Sequence, residues 1–448
     1  MAIAMTIGYS RLLLAIGILA GAAVVHADDW PTWRGPGASG VSRETNVPLT
    51  WSATENVAWR ASLAGAGVST PIVVGDRVVV TSQIGDGVRR PGNHPRLTQG
   101  ADAAAAGERA IAANAAADGR TFFVVEAFSR ANGAPIWSHR LEADGPLTPV
   151  HDKHNLATPS PTSDGSLIYA WFGTGQIVAL DLSGKLVWQR HLGKEIAPFD
   201  IQWGHGSSPA VHGDLLLLLC DHAPASYLLA VDKRTGKDRW KADRGQGRSS
   251  YSTPFVVPVA DGAAEVIVNS SERIDAYALA DGRHLWHTDG ANRFPIPVPV
   301  FHDGILYLTR GYRSGPYMAL RPGGRGDVTA SHVVWRVETG APYVSSLVFW
   351  DGLLFMANDA GVVTAIDART GERVWQHRTP GVFSASPIAA EGRIYFVSES
   401  GETIVMRAAR TPEVLAQNDL AVRLVASPAV SGGKIFFRSD NQLIAVGR

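Results

Sequence analysis

Short apolar runs bounded by Gly, Pro and Asp recur along almost the whole chain, a punctuation that leaves little room for long helices. One phrase returns: an apolar strand, an Asp, a Gly turn, then a strand ending in Trp. It reads Asp181 to Gly184 to Trp188, Asp232 to Gly236 to Trp240, and Asp367 to Gly371 to Trp375. Looser copies end at Trp137, Trp286 and Trp335. A second phrase precedes it, with Ser/Thr-Pro, a short strand, a Gly-Asp or Asp-Gly turn and a stronger strand. Its starts are Pro71, Pro161, Pro209, Pro254, Pro299, Leu347, Pro387 and Pro428, eight in all. Successive Trp residues from Trp137 are 51, 52, 46, 49 and 40 positions apart. Four short strands per 40–50 residues predict an all-β fold, an eight-bladed β-propeller of four-stranded antiparallel blades. A lone four-stranded sheet cannot bury both faces, so blades stack about an axis, and each Trp is expected to wedge between neighbours.

The last unit has only three strands, 429–430, 434–438 and 443–446. Residues 57–63, which carry Trp59, are expected to add the fourth and close the ring. Such closure leaves no free sheet edge. Blade 7 has no Trp, and Leu415 is expected to replace it. The repeated Asp residues read as turn formers that accept nearby amide protons, not as calcium ligands, since no second carboxylate accompanies them.

Composition narrows the functional classes. Lys+Arg and Asp+Glu both number 41, so no net field favours nucleic acid or anionic lipid. The single cysteine, Cys220, excludes a disulfide framework, a four-cysteine zinc site and an iron–sulfur cluster. Residues 12–25 form an apolar run after Arg11 that spans only ~21 Å as a helix, short of a ~30 Å hydrocarbon core. The expectation is a signal peptide, 1–27, cleaved after Ala27, and a mature propeller over 28–448 carrying a net charge of −1. With no Cys near the cleavage point, no lipid anchor is expected, and nothing later is apolar enough to span a membrane. The product is expected to be periplasmic or secreted. Blade 1 carries an insertion, 84–120, that starts basic and ends Ala-rich.

The opening Trp30-Pro-Thr-Trp33-Arg34-Gly35-Pro36 and the Asp-x-x-Thr-Gly-x-x-x-Trp repeats resemble exported bacterial PQQ-binding-like β-propeller proteins over residues 30–448. These are relatives of the quinoprotein alcohol dehydrogenases and of the β-propeller lipoprotein of the outer-membrane β-barrel assembly machine. The resemblance implies the propeller fold, and it implies PQQ with calcium as the cofactors of a dehydrogenase alternative. Two departures stand against a direct transfer. The adjacent Cys-Cys pair of the quinoproteins is missing, and so is the lipid-bearing Cys of the assembly lipoprotein. There is also no Cys-x-x-Cys-His for haem.

In a propeller, the loop entering each innermost strand and the loop between the second and third strands share one face. Residues four before each strand start are therefore expected at the channel mouth: Gly67, Asn155 (counting from Pro159), His205, Ser250, Pro295, Tyr343, Phe383 and Leu424. His151, Asp152 and His154 lead into Asn155. The second-to-third-strand loops add Asp221, His222, Arg310, Tyr312, Arg313, Asn358, Asp359, Glu399 and Asp440. The expected ligand-binding set is His151, His154, Asn155, His205, Asp221, His222, Arg310, Tyr312, Arg313 and Tyr343. The four histidines with Asp221 can be read as a zinc or copper site, or as rim imidazoles bonded to backbone and water. Trp171 and Trp203 are candidate stacking planes for a quinone, or core residues. No Gly-x-Ser-x-Gly or His-Glu-x-x-His supports hydrolysis. The expectation is an exported, non-catalytic binding or scaffold propeller without a resident cofactor or metal. Its partner would be a protein, a glycan or another small ligand at the rim. The alternative is a PQQ-dependent dehydrogenase of alcohols or sugars.

Overall fold

The computed structural model describes residues 29–85, 119–290, 292–312 and 314–447. The leader 1–27, Arg313 and most of the insertion lie outside the described residues. Eight antiparallel sheets follow one another along the chain, each of four strands except one that gains a short fifth. Their innermost strands begin at Ile72, Thr162, Ala210, Phe255, Val300, Val348, Ile388 and Ala429, each one residue after its expected start. Innermost strands of neighbouring blades touch, and blade 8 meets blade 1, so the sheets form a closed propeller. Closure is as expected: Val57–Ser62 pairs antiparallel with Gln442–Val446 and becomes the outer strand of blade 8. Middle strands such as Leu215–Cys220 and Ser226–Asp232 are buried on both faces, hence their continuous apolar runs.

The recurring Trp has a defined seat. Trp59, Trp137, Trp188, Trp240, Trp286, Trp335 and Trp375 each lie opposite an alanine on the adjoining strand, large against small. Most also reach the next blade. The Trp137 indole donates to Leu182 O (3.0 Å), Trp188 to Lys233 O (2.9 Å) and Trp240 to Leu279 O (2.9 Å). Each ring then covers the turn glycine of the following repeat. A Cβ on Gly236, whose φ is +69°, would stand 2.8 Å from the Trp188 ring. Glycine is thus required twice over, by backbone conformation and by contact. Two depart from this: Trp375 donates to Ala409 O (2.9 Å) over a turn without glycine, and Trp286, facing the lengthened turn of blade 5, donates to buried Glu265 (2.8 Å).

Blade 7 corrects an expectation. Ala416, not Leu415, occupies the Trp register, opposite Val405, so the large–small pair is reversed. Leu415 falls in the bulge just before it. The space is filled from far away in sequence: Trp51 stacks on Tyr395 of blade 7 (centroids 6.4 Å, 14° between planes) and packs on Phe437 of blade 8 (5.7 Å). In blades 2, 5, 6 and 8 the aromatic equivalent to Tyr395 packs on that blade's own outer Trp.

The Ser/Thr before each start residue belts the ring. Thr70 N donates to Ser160 Oγ, Ser160 N to Ser208 Oγ and Ser208 N to Thr253 Oγ1. Beyond Val298, which has no hydroxyl to offer, the belt resumes through Ser346, Ser386 and Ser427. At the opposite end of the channel the N-terminal segment forms a plug. Trp30 pairs with Val73, Pro31 O accepts from Ser163 N, and Ser42 and Gly40 pair with Ala389. Buried Arg34 donates to carbonyls of Ala38, Ser39 and Leu347 with no carboxylate beside it, and burial brings its pKa down to about 9.

Candidate functional site

Loops entering blades 2 to 8 converge on one cavity of about 160 Å³ at the mouth opposite the plug. Seven equivalent positions line it: Thr158, Gly206, Tyr251, Ile296, Val344, Ser384 and Val425. Each stands three residues before its expected start, one later than the sequence reading placed the rim in blades 3 to 8 and three later in blade 2. In extended backbone successive side chains point to opposite sides. The positions one earlier, His205, Ser250, Phe383 and Leu424, are accordingly buried in the body of the ring.

His151, Lys153, His154, Trp203 and Tyr343 complete the wall. Above it a hollow of about 140 Å³ shares His151, Trp203 and Tyr343 and adds Gln202, Arg293, Phe294 and Tyr312. The rings form a continuous arc. His151 meets Trp203 edge-on (5.6 Å), Trp203 meets Phe294 (6.2 Å), Phe294 meets Tyr312 (5.3 Å) and Tyr312 meets Tyr343 (5.4 Å). Tyr251 also touches Phe294 (6.3 Å). Phe294 adopts φ +57°, a left-handed conformation rare for a bulky side chain. Such strain, of order 1–3 kcal/mol, tends to persist where surroundings hold a side chain in a working position.

Charge sits directly behind this wall. Lys153 Nζ is 2.6 Å from Glu399 Oε1, and both residues are buried (7% and 3% exposed). Ser384 also donates to Glu399 Oε1, while Oε2 is buried without a protein partner. Asp359 accepts from Tyr343 N (3.1 Å) through one oxygen, and its other oxygen is likewise buried and unpaired. Burial pushes the Asp359 carboxyl up to about 6, with the Glu399 charge adding to the rise while Lys153 opposes it. Burial, and then the neighbouring His151, brings His154 down to about 4, so it is neutral at pH 7.

Of the expected ligand-binding set, His151, His154, Tyr312 and Tyr343 face the cavity or the hollow above it. The other described members are placed elsewhere, and Arg313 lies outside the described residues. His205 packs on Trp171 (4.2 Å) and Phe199 (5.0 Å), and His222 packs on Phe199 (4.4 Å), within the blade 2–3 core. Burial brings His205 down to about 3. Asp221 is fully buried and held in a fork by Arg244 at 2.6 and 2.9 Å. Asn155 staples blade 2 to blade 1 by donating to Ala66 O (2.8 Å). Arg310 is buried and donates to Asn269 Oδ1 (3.0 Å) and to Gly290 O. These histidines and Asp221 do not gather their ligating atoms. Among the described residues, the trio that does is His287, Asp289 and Asp327, at the outer edge of blade 4. The sequence reading passed over Lys153, Tyr251, Phe294 and Ser384, and it left Trp203 between core and site. Counting three residues back from each start would have found Tyr251 and Ser384.

A flat tricyclic quinone with three carboxylates was tested against this wall. Sites for such ligands usually hold ~300–1,000 Å³, and polyanions need unpaired cations. Here the cavity is smaller, Lys153 is engaged by Glu399, Asp359 adds negative charge, and Arg293 stands in the hollow above rather than in the cavity wall. Calcium would need six to eight oxygens, and the ammonium of Lys153 occupies the place beside Glu399. The residues at the mouth do not fit either group.

The sequence profile of the repeat family described as outer membrane protein assembly factor BamB matches residues 121–294 and 325–446. Two curated proteins align at low identity. A tetrathionate hydrolase of Acidithiobacillus ferrooxidans is 23% identical over 363 residues, covering 77% of this chain and 65% of that protein. The outer membrane protein assembly factor BamB of Yersinia pestis is 28% identical over 257 residues, covering 46% of this chain and 65% of that protein. The chain thus spans about 65% of the length of each of these relatives. Among solved structures, quinohemoprotein alcohol dehydrogenase from Comamonas testosteroni superposes with a TM-score of 0.62 at 11% identity, covering 95% of this chain and 82% of that one. BamB from Moraxella catarrhalis gives 0.52 at 15%, covering 72% and 88%. At these identities the likeness is one of fold.

Proposed function

The chain belongs to the PQQ-like repeat family described as outer membrane protein assembly factor BamB, and on that premise we propose that it is a non-catalytic binding propeller. In this reading it is exported by its apolar leader and works in the periplasm or outside the cell. It takes a small ligand, or an extremity of a partner protein, into the channel mouth. The observation that carries the reading is the convergence of equivalent residues from seven blades on one cavity under an arc of aromatic rings. Its walls are mostly apolar with a few fixed polar groups, the usual character of a binding site. Among the described residues no helix is long and apolar enough to cross a membrane. The balanced charge supports no role with nucleic acid.

A quinoprotein dehydrogenase remains the rival because its fold covers nearly the whole chain. One set of experiments separates the two. Purified protein titrated with PQQ and calcium is expected to show no spectral shift and no dye reduction with alcohols or sugars. Ligand capture, read by native mass spectrometry, is expected to fall at least about tenfold in Tyr343→Ala with unchanged melting. Dye reduction dependent on added PQQ would overturn the non-catalytic reading, and capture indifferent to Tyr343→Ala would move the site.

A further inference from the structure

Size, ring chemistry and charge at the mouth together select a ligand class. At about 160 Å³ the cavity is below the range of drug-sized ligands, so it admits a single head group rather than a whole peptide turn or tricycle. Among its lining side chains are the rings of Trp203, Tyr251 and Tyr343. Aromatic faces present the negative side of the ring quadrupole and attract cations, most strongly where water is excluded. One cation already stands in the hollow above, where the Arg293 guanidinium lies 5.9 Å from the ring of its neighbour Phe294.

The fixed charges add to this. Lys153 is matched by Glu399 at 2.6 Å, which leaves Asp359 as the unmatched charge behind the Tyr343 wall. Glu399 Oε2 and Asp359 Oδ1 are buried acceptors without a protein donor. Burial keeps His154, in the cavity wall, uncharged at neutral pH. We infer that the cavity receives a small organic ammonium ion, its alkylated nitrogen set among the Trp203, Tyr251 and Tyr343 rings and held by the field of Asp359 and Glu399. This rests on the binding reading of the same mouth and gives it a substrate class. A neutral sugar would gain ring contact but not the field, and an anion would be opposed by the charge of Asp359 behind the wall.

Binding should follow the ionisation of Asp359. The charged groups facing it are Lys153 from the loop of blade 2 and Glu399 from blade 7, and its carboxyl is pushed up to about 6. Ammonium binding is therefore full above pH 7 and weakens as the carboxylate is protonated below pH 6.

The test is calorimetry on the full chain with choline, tetramethylammonium and the uncharged carbon isostere 3,3-dimethyl-1-butanol. Choline is expected to bind at least about tenfold more tightly than the isostere at pH 7.5. Asp359→Asn, or acidification to pH 5, should shrink that ratio, and Tyr251→Ala should abolish choline binding. Melting curves of each variant show whether it has folded. If Tyr251→Ala unfolds, the conservative Tyr251→Leu takes its place. An isostere that binds as well as choline would overturn the inference while leaving the mouth as a binding site. No choline binding, together with a sugar or PQQ signal that Tyr343→Ala removes, has the same consequence. Absence of any ligand sensitive to Tyr343→Ala would remove both readings.

Discussion

A methyl group can separate the two demands on the repeat glycine. Gly236 and Gly213 both lie in blade 3 with positive φ, +69° and +56°. A Cβ on Gly213 meets nothing within 4 Å, whereas on Gly236 it meets the Trp188 ring at 2.8 Å. Gly213→Ala is expected to cost about 1 kcal/mol from conformation alone. Gly236→Ala should cost about 2–3 kcal/mol, because the Trp must also move; urea unfolding reads the difference. His205 provides a pH test. Its folded pKa is depressed from 6.5 to about 3 by burial, so below pH 6.5 the unfolded chain binds the extra proton. The stability that this group contributes is full above pH 6.5 and falls as pH drops towards 3. His205→Gln should flatten that part of the stability–pH curve, as followed by denaturation midpoints between pH 7 and pH 4.

Strands and blades obey a simple rule of complementary volumes. Seven outer strands set Trp against Ala, and blade 7 sets Ala416 against Val405 and borrows Trp51 from the N-terminal segment. Trp51→Ala is expected to cost about 3–5 kcal/mol, the cost of emptying a buried aromatic site. Leu415→Ala, in the half-buried bulge, should cost under about 1 kcal/mol. The reverse order of melting temperatures would return the seam to Leu415. The same bulge exposes Ile136 and Val187, which is why apolar residues stand on the outer edge beside a buried Trp. The Ser/Thr-Pro phrase was legible, but its purpose was not. The hydroxyl accepts an amide proton from the preceding blade, so its value exists only once two blades are adjacent.

At the scale of the ring, the Lys153–Glu399 ion pair joins elements that are not neighbours. Lys153 enters with blade 2 and Glu399 with blade 7, and they meet buried across the mouth. Removing one partner of a buried pair strands the other, at a cost of about 3–5 kcal/mol. Lys153→Met is expected to show that loss, and adding Glu399→Gln should restore most of it. Additive losses in this double-mutant cycle would mean that the two groups are not coupled. The plug is tied to five different blades at the end opposite this pair.

By itself the sequence determined the period, the eight strand starts, the outer Trp positions and the closing strand. Each of these rests on local chemistry, on turn residues and alternating burial within some forty to fifty positions. It also pointed to the entering loops as the place of convergence. Only the tertiary structure decided which residue of each loop faces the axis, because one step along extended backbone reverses the side chain and nothing local marks the choice. It likewise decided that Asp221 and Arg310 are buried in structural pairings, that Trp51 fills the blade 7 seam, and that Lys153 meets Glu399. The last two contacts join residues far apart in the chain, as the 246 positions between Lys153 and Glu399 show, and exist only once the ring has closed.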